Sequence, residues 1–356
     1  MNRFDLNRFD HPYYIIAPRY TRTSAGVRVL YKLADLINRQ GGTAFVFLWP
    51  SFNKDAAASP MDVAPFLSKG IADYHYKNGI TPIVVYPEIM QVSKFDPPVR
   101  VRYMLNYHGL LAENDSLDAD DYILSYSDRI AAEIVISKPK GTLFIPVSDP
   151  VFYCPPFSAP IRSGGVFYAG KFKYRFGGKT FPVTDNLPEI TRDRPDSQTP
   201  EEIRSLFQNA EFFYCYEDSA LAIEAILCGC PTVFLPNEHF KGPLGAKELA
   251  GLGYAVGTSP EQLAHACSTV AAAREHYLEL LEKLKPQVAA FIKDTQQLAE
   301  GRKYSKPFAS DYLKAPSTLQ RFLDMVRFLR DVIDDKGLNE TLKIVAKRIL
   351  ARRFSI

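Results

Sequence analysis

Residues 212–236, FFYCYEDSALAIEAILCGCPTVFLP, leave the chain few architectures to choose from. The segment opens on an apolar, aromatic run of strand length (212–216) and turns through Glu217-Asp218-Ser219. A helix-forming run (220–228) follows and stops at Gly229, and a second apolar run (232–235) is closed by Pro236. Strand, turn, helix, strand is the unit of a parallel α/β sheet. The turn leaves backbone N–H groups without intrahelical partners at the start of a helix, where an anion such as a phosphate is favoured. Glu224 falls about one helical turn further on, close enough to hydrogen-bond a sugar hydroxyl of the same ligand.

A chain of 356 residues that is 46% hydrophobic has material for one large or two medium α/β domains with full cores. A net charge of +3 is too mild to point to nucleic acid. The N-terminal residues hold no long apolar stretch, so no secretory signal is expected, and no run approaches the roughly 18 apolar residues of a membrane span. The five cysteines, Cys154, Cys215, Cys228, Cys230 and Cys267, are odd in number and fall mostly in strand or helix patterns. They read as reduced thiols of a cytoplasmic protein. Cys228 and Cys230 stand too close for a zinc knuckle and no matching His/Cys pair follows, so they read as small residues packed against the sheet. No Asp-x-Asp cluster falls at an expected strand end, Asp118 and Asp120-Asp121 reading as loop, so no metal is expected.

In chain order, residues 13–17 read as a first strand and 18–23 as a polar loop carrying Arg19. Ser24 reads as a cap for a helix over 27–38, with Val29, Leu30, Leu33 and Ile37 at helical spacing and Gly41-Gly42 as its stop. Strands are expected at 43–49, 81–86, 122–126 and 142–146, while 99–105 reads as either helix or strand. These make a Rossmann-like domain over residues 1–155. The Pro- and Gly-rich stretch 149–165 is a linker. A second Rossmann-like domain over 156–305 begins with a strand at Val166, then the loop KFKYRFGGK, whose Lys171, Lys173, Arg175 and Lys179 suit a phosphate. It continues with a short strand at 188–192 and a capping-box helix started by Thr199, Pro200 and Glu202. After the 212–236 unit come a strand at 251–256 and two helices, 260–273 and 276–299. In a helical tail, 306–356, apolar residues recur at three and four through 319–333, stopped at Gly337, and 341–354 sets Lys343, Lys347, Arg348, Arg352 and Arg353 beside Leu342, Val345 and Ile349. That face suits either an anionic membrane surface or a packed helix with solvated charges.

The 212–236 segment resembles the nucleotide-sugar site of GT-B glycosyltransferases, in particular glycosyltransferase family 4 and related bacterial polysaccharide (O-antigen and capsule) transferases. The residues that carry the resemblance are Glu217, Ser219-Ala220, Glu224-Ala225, Cys228-Gly229-Cys230 and Pro231-Thr232-Val233. Tyr86-Pro87-Glu88 and Leu105-Asn106 before Gly109 add to it. One departure is plain: the family's glutamates usually have seven residues between them, and Glu217 and Glu224 have six. The resemblance implies an α/β GT-B fold, two Rossmann-like domains with a cleft between them. It implies a nucleotide-diphosphate sugar donor, a saccharide or lipid-linked acceptor, and metal-independent, cofactor-free, retaining transfer in lipopolysaccharide or capsule synthesis by a cytoplasmic enzyme; contact with the cytoplasmic face of the inner membrane is an expectation of the basic tail alone.

The same resemblance assigns residues. Lys171 and Arg175 face the departing diphosphate, Glu217 the donor sugar or its phosphate, and His108 the transferred sugar. Arg19, Ser24 and Gly26 lie in the loop at the donor phosphates, Ser219 and Ala220 supply amides, and Glu224 takes the ribose. Glu88 and Tyr107 meet the acceptor. Two other readings remain open: a GT-B sugar-nucleotide epimerase, and a non-catalytic nucleotide-sugar binding subunit.

Overall fold

The computed structural model describes residues 11–309 apart from 50–62, 91–94, 96, 111–116, 119, 136–137, 159–160, 193–196 and 241. The helices expected at 319–333 and 341–354, and with them the basic face of the tail, lie outside the described residues.

The first sheet contains β1 (Tyr13–Ala17), β2 (Ala44–Leu48), β3 (Ile83–Pro87), β4 (Arg100–Met104), β5 (Tyr122–Ser125) and β6 (Gly141–Thr142), in the order β2-β1-β3-β4-β5-β6. Every neighbouring pair is parallel. β1 and β3 are buried at all of their residues, which is why they read as continuous apolar runs rather than as alternation. Between β1 and β2 runs α1 (Ala25–Arg39), whose cap Ser24 accepts from Val27 N–H at 3.4 Å. Gly41, at φ +84°, ends it in the left-handed region that glycine adopts freely. The Asn38 side chain then fixes the turn into β2, accepting from Ala44 N–H at 2.6 Å and donating to Ala44 O at 2.9 Å. Two shorter helices, α2 (Lys69–Lys77) and α3 (Asp128–Ala132), complete this half.

The ambiguous segment 99–105 is a strand. Its two arginines are accommodated individually: buried Arg102 donates to Met90 O at 2.9 Å, and Arg100 pairs with Asp118 and Asp121 at 2.8 and 2.7 Å. The strand expected at 142–146 shrinks to the two residues of β6. Leu143 N–H still reaches Ser125 O, but Pro146 offers no donor for a ladder and the chain leaves the sheet.

The second sheet, also parallel, contains β7 (Gly165–Tyr168), β8 (Phe212–Cys215), β9 (Thr232–Phe234) and β10 (Tyr254–Val256) in the order β10-β9-β8-β7. Its helices are α4 (Gly170–Tyr174), α5 (Pro200–Asn209) and α6 (Ala220–Leu227). α5 carries the expected capping box in both directions between Thr199 and Glu202. Part of the expected basic loop after β7 is helical, since Lys171 and Lys173 lie in α4. The strand expected at 188–192 is reduced to one bridge, Phe167 with Glu189. Past that point the Gln198 side chain takes the backbone groups, donating to Glu189 O at 2.9 Å and accepting from Thr191 N–H at 3.0 Å.

The two helices expected after β10 are one, α7 (Pro260–Ala299), 40 residues long and so about 60 Å. No helix breaker stands at 273–276, and Arg274 is tied down by three carbonyls, Pro150 O, Tyr153 O and Leu227 O, at 3.0–3.1 Å. The first part of α7 packs on the second sheet, where Ala266 joins Val233 and Ala255 in one core cluster. Its last part belongs to the first sheet. Tyr13 Oη meets Thr295 Oγ1 at 2.7 Å, His11 and Gln296 exchange two hydrogen bonds, and Phe291 packs on Tyr13. Phe308 continues that course among Tyr14, Phe47 and Phe95. The return to the first domain therefore begins inside α7, ahead of residue 305, where the second domain was expected to end.

Candidate active site

A cavity of about 620 Å³ lies between the two sheets. That is the size of a typical small-molecule site. Its first wall comes from the segments that follow β1, β3, β4, β5 and β6, represented by Ser24, Glu88, Asn106, Tyr126 and Ser148. Its second wall comes from the segments after β7 and β8, with Lys171 and residues 217–220. Both sheets thus offer the carboxyl ends of their strands, where open α/β sheets bind ligands.

The second wall is organised by Glu217, which is 2% exposed. One carboxylate oxygen accepts from Lys171 backbone N–H at 2.7 Å and the other from Lys171 Nζ at 2.9 Å. The contact depends on Gly170, at φ +46°. A Cβ there would stand 2.6 Å from the Tyr168 ring and 2.8 Å from the Glu217 carboxyl carbon. Next in sequence, Asp218 lines the cavity and its Oδ2 accepts from Leu244 N–H at 2.9 Å. Burial pushes the Asp218 carboxyl up to about 6, against the pull of that hydrogen bond and of Lys171. Ser219 caps α6 by accepting from Leu221 N–H at 3.3 Å. Among the described hydrogen bonds the backbone N–H groups of Ser219 and Ala220 have no protein acceptor. Both residues line the cavity.

On the first wall Glu88 is the one carboxylate among the described lining residues. It accepts from Leu105 N–H at 3.0 Å, and burial pushes it up to about 7 despite that bond and nearby Arg102. Gly26 and Ser24 lie opposite residues 217–220. The two walls are also joined directly. Arg192, from the segment after β7, donates to Thr23 O of the first wall at 2.7 Å and lies over the Tyr168 ring at 5.5 Å. Asp128 N–H, at the start of α3, donates to Glu248 at 2.7 Å, and Arg129 donates to Pro243 O at 3.2 Å.

Of the residues assigned from sequence, Lys171, Glu217, Ser219, Ala220, Ser24, Gly26 and Glu88 converge on the cavity. Arg19, Tyr107, His108, Arg175 and Glu224 are not among its lining residues. Arg19 and His108 are exposed. Arg175 closes α4 with its guanidinium 5.7 Å from the Phe176 ring, and Tyr107 packs with Met104 and Leu117. Glu224, assigned to the ribose, is turned to two arginines instead. It accepts from Arg28 of α1 at 3.0 Å, and Arg192 stands 3.9 Å away. Arg28 also donates to Val147 O at 2.6 Å, so this buried carboxylate ties α6 to the first half of the molecule.

Sequence reasoning passed over Asp218, Arg28 and Arg192. Asp218 was visible only as part of a polar turn. Arg192 carried one signal, a lone arginine at the end of the short strand expected at 188–192. Among the described residues no three His, Cys, Asp or Glu side chains are grouped to hold a metal ion, and no helix is long and apolar enough to cross a membrane.

No protein-family model and no curated protein matches the chain. Among solved structures, a glycosyltransferase from Rickettsia africae ESF-5 is similar over 82% of this chain and 99% of that one, at 10% identity and a TM-score of 0.50. WaaG, a glycosyltransferase involved in lipopolysaccharide biosynthesis, is similar over 85% and 100%, at 12% identity and a TM-score of 0.41. SnogD, a glycosyltransferase from Streptomyces nogalater, is similar over 80% and 99%, at 11% identity and a TM-score of 0.39. At such identities the likeness concerns the fold. The fold is GT-B: two Rossmann-like halves with the cavity between them.

Proposed function

We propose that this GT-B chain is a glycosyltransferase that binds a nucleotide-diphosphate sugar in the cavity and passes the sugar to a saccharide or lipid-linked acceptor of a cell-surface polysaccharide. One observation carries the reading: Lys171 and the open amides of Ser219 and Ala220 lie on one wall of a cavity walled by strand ends of both halves. Glycosyl transfer from such a donor needs its leaving diphosphate stabilised more than it needs a strong nucleophile. Preorganised amides and an ammonium supply that stabilisation without reorganising as charge develops. Glu88, across the cavity, is the group that orients the acceptor hydroxyl. In the leaving step Lys171 turns a second ammonium N–H to the diphosphate, while its bond to the buried Glu217 holds the ammonium where it is needed.

The test is a thermal-shift panel of UDP, GDP, CDP and ADP sugars, followed by product analysis with the donor that binds. A ligand that binds only the folded protein stabilises it by RT ln(1 + [L]/Kd) and so raises its melting temperature. One base is expected to give a clear shift, and Lys171→Ala to lower turnover by a factor of about 100 or more. A panel with no shift sinks the donor assignment. Interconversion of the donor sugar without transfer would instead identify an epimerase, and binding without turnover a carrier subunit.

A further inference from the structure

The charges on the cavity walls do not suit a diphosphate as they stand. Among the described lining residues there are three carboxyl groups, Glu88, Glu217 and Asp218, against two cations, Lys171 and Arg192. Lys171 is already neutralised by Glu217, and Arg192 leans toward Glu224 at 3.9 Å. Asp218 then directly precedes the open amides of Ser219 and Ala220, where the phosphates are expected. An ionised carboxylate at that point would repel them.

We propose that Asp218 meets the donor diphosphate as a neutral carboxylic acid, donating its proton to a phosphate oxygen, so that the donor binds with uptake of one proton. The inference rests on the donor-site reading above. Leu244 N–H holds Oδ2, and Oδ1 has no protein partner among the described hydrogen bonds, which leaves one oxygen to carry the proton. The charged and titratable groups around it are Lys171, Glu217 and Arg129, with Tyr107, Tyr126 and Cys215. Burial raises the carboxyl to about 6, so an adjacent diphosphate has only to raise it further to hold the proton at neutral pH.

The experiment is calorimetry with UDP-glucose, UDP-N-acetylglucosamine, GDP-mannose and ADP-glucose. Each phosphate of these donors carries one ester and one anhydride link and keeps a single strongly acidic hydroxyl, so the ligand itself does not titrate near neutrality. Repeating the titration at pH 7.5 in buffers of different ionisation enthalpy counts the protons, and needs no variant. Uptake approaching one proton is expected, with wild-type affinity falling about tenfold per pH unit above roughly pH 6. Asp218→Asn, whose amide also donates, is expected to take up no proton and to bind equally at pH 6 and 8. Binding without proton uptake overturns the proposal. So does uptake that persists in Asp218→Asn and vanishes in Glu88→Gln, which would move the proton to the other wall. No binding of any of the four donors sinks the donor reading and this inference together.

Discussion

Gly170 shows how narrowly the second wall is built. Its φ of +46° and the absence of a side chain let the Glu217 carboxyl and the Tyr168 ring close over the start of α4. Gly170→Ala is expected to cost about 1–3 kcal/mol in denaturant unfolding, through a disfavoured backbone and the displaced carboxylate. It should weaken donor binding as well, because Lys171 loses its anchor. Glu88 gives a prediction of opposite sign. Its folded-state value, about 7, lies above its ordinary value of 4.5, so the folded state holds the proton more tightly. The stabilising contribution is complete below about pH 4.5 and is lost as pH rises through 7, a change of at most about 3 kcal/mol. Glu88→Gln is therefore expected to melt higher than wild type at pH 8 and close to wild type at pH 4.5, as measured by thermal unfolding at both. Ser24 was legible from sequence as a cap because capping is local, whereas Ser219 read only as part of a polar turn. Asp218 was not legible, because its behaviour comes from burial and from Leu244, 26 residues away.

Elements were legible in proportion to how local their determinants are. The capping box of α5 is written in residues three apart, and Thr199→Ala is expected to lose about 1 kcal/mol of stability. Donor affinity should not change, since no α5 residue is among the cavity's lining residues. A drop in affinity in that variant would mean that α5 shifts the site. The 212–236 unit was equally readable, with its apolar runs of strand length around a short helix. Continuity of α7 across 273–276 was legible too, since no helix breaker stands there; what was not legible is that Arg274 reaches the carbonyls of Pro150 and Tyr153, more than 100 positions away. The segment 188–192 misled for a similar reason, since the Gln198 side chain claims the bonds a strand would use.

At the scale of the molecule, the two halves are joined through a buried carboxylate. Glu224→Ala would leave Arg28 and Arg192 facing each other without a counterion, at an expected cost of 3–5 kcal/mol by the usual order for a broken buried pair. Urea unfolding of Glu224→Ala, Arg28→Met and the double variant separates this from a ribose contact. Coupling between the two sites is expected in stability even without any nucleotide. Independent, additive losses would return Glu224 to the ligand. The linker and the 212–236 unit announced two halves; nothing local announced that one helix is shared between them. That sharing has a practical consequence. Neither half is a self-sufficient cassette, because the final stretch of α7 completes the core around Tyr13. A chimera meant to transplant donor preference must be cut as an insertion, with residues 156–283 exchanged and 284–308 left to the host.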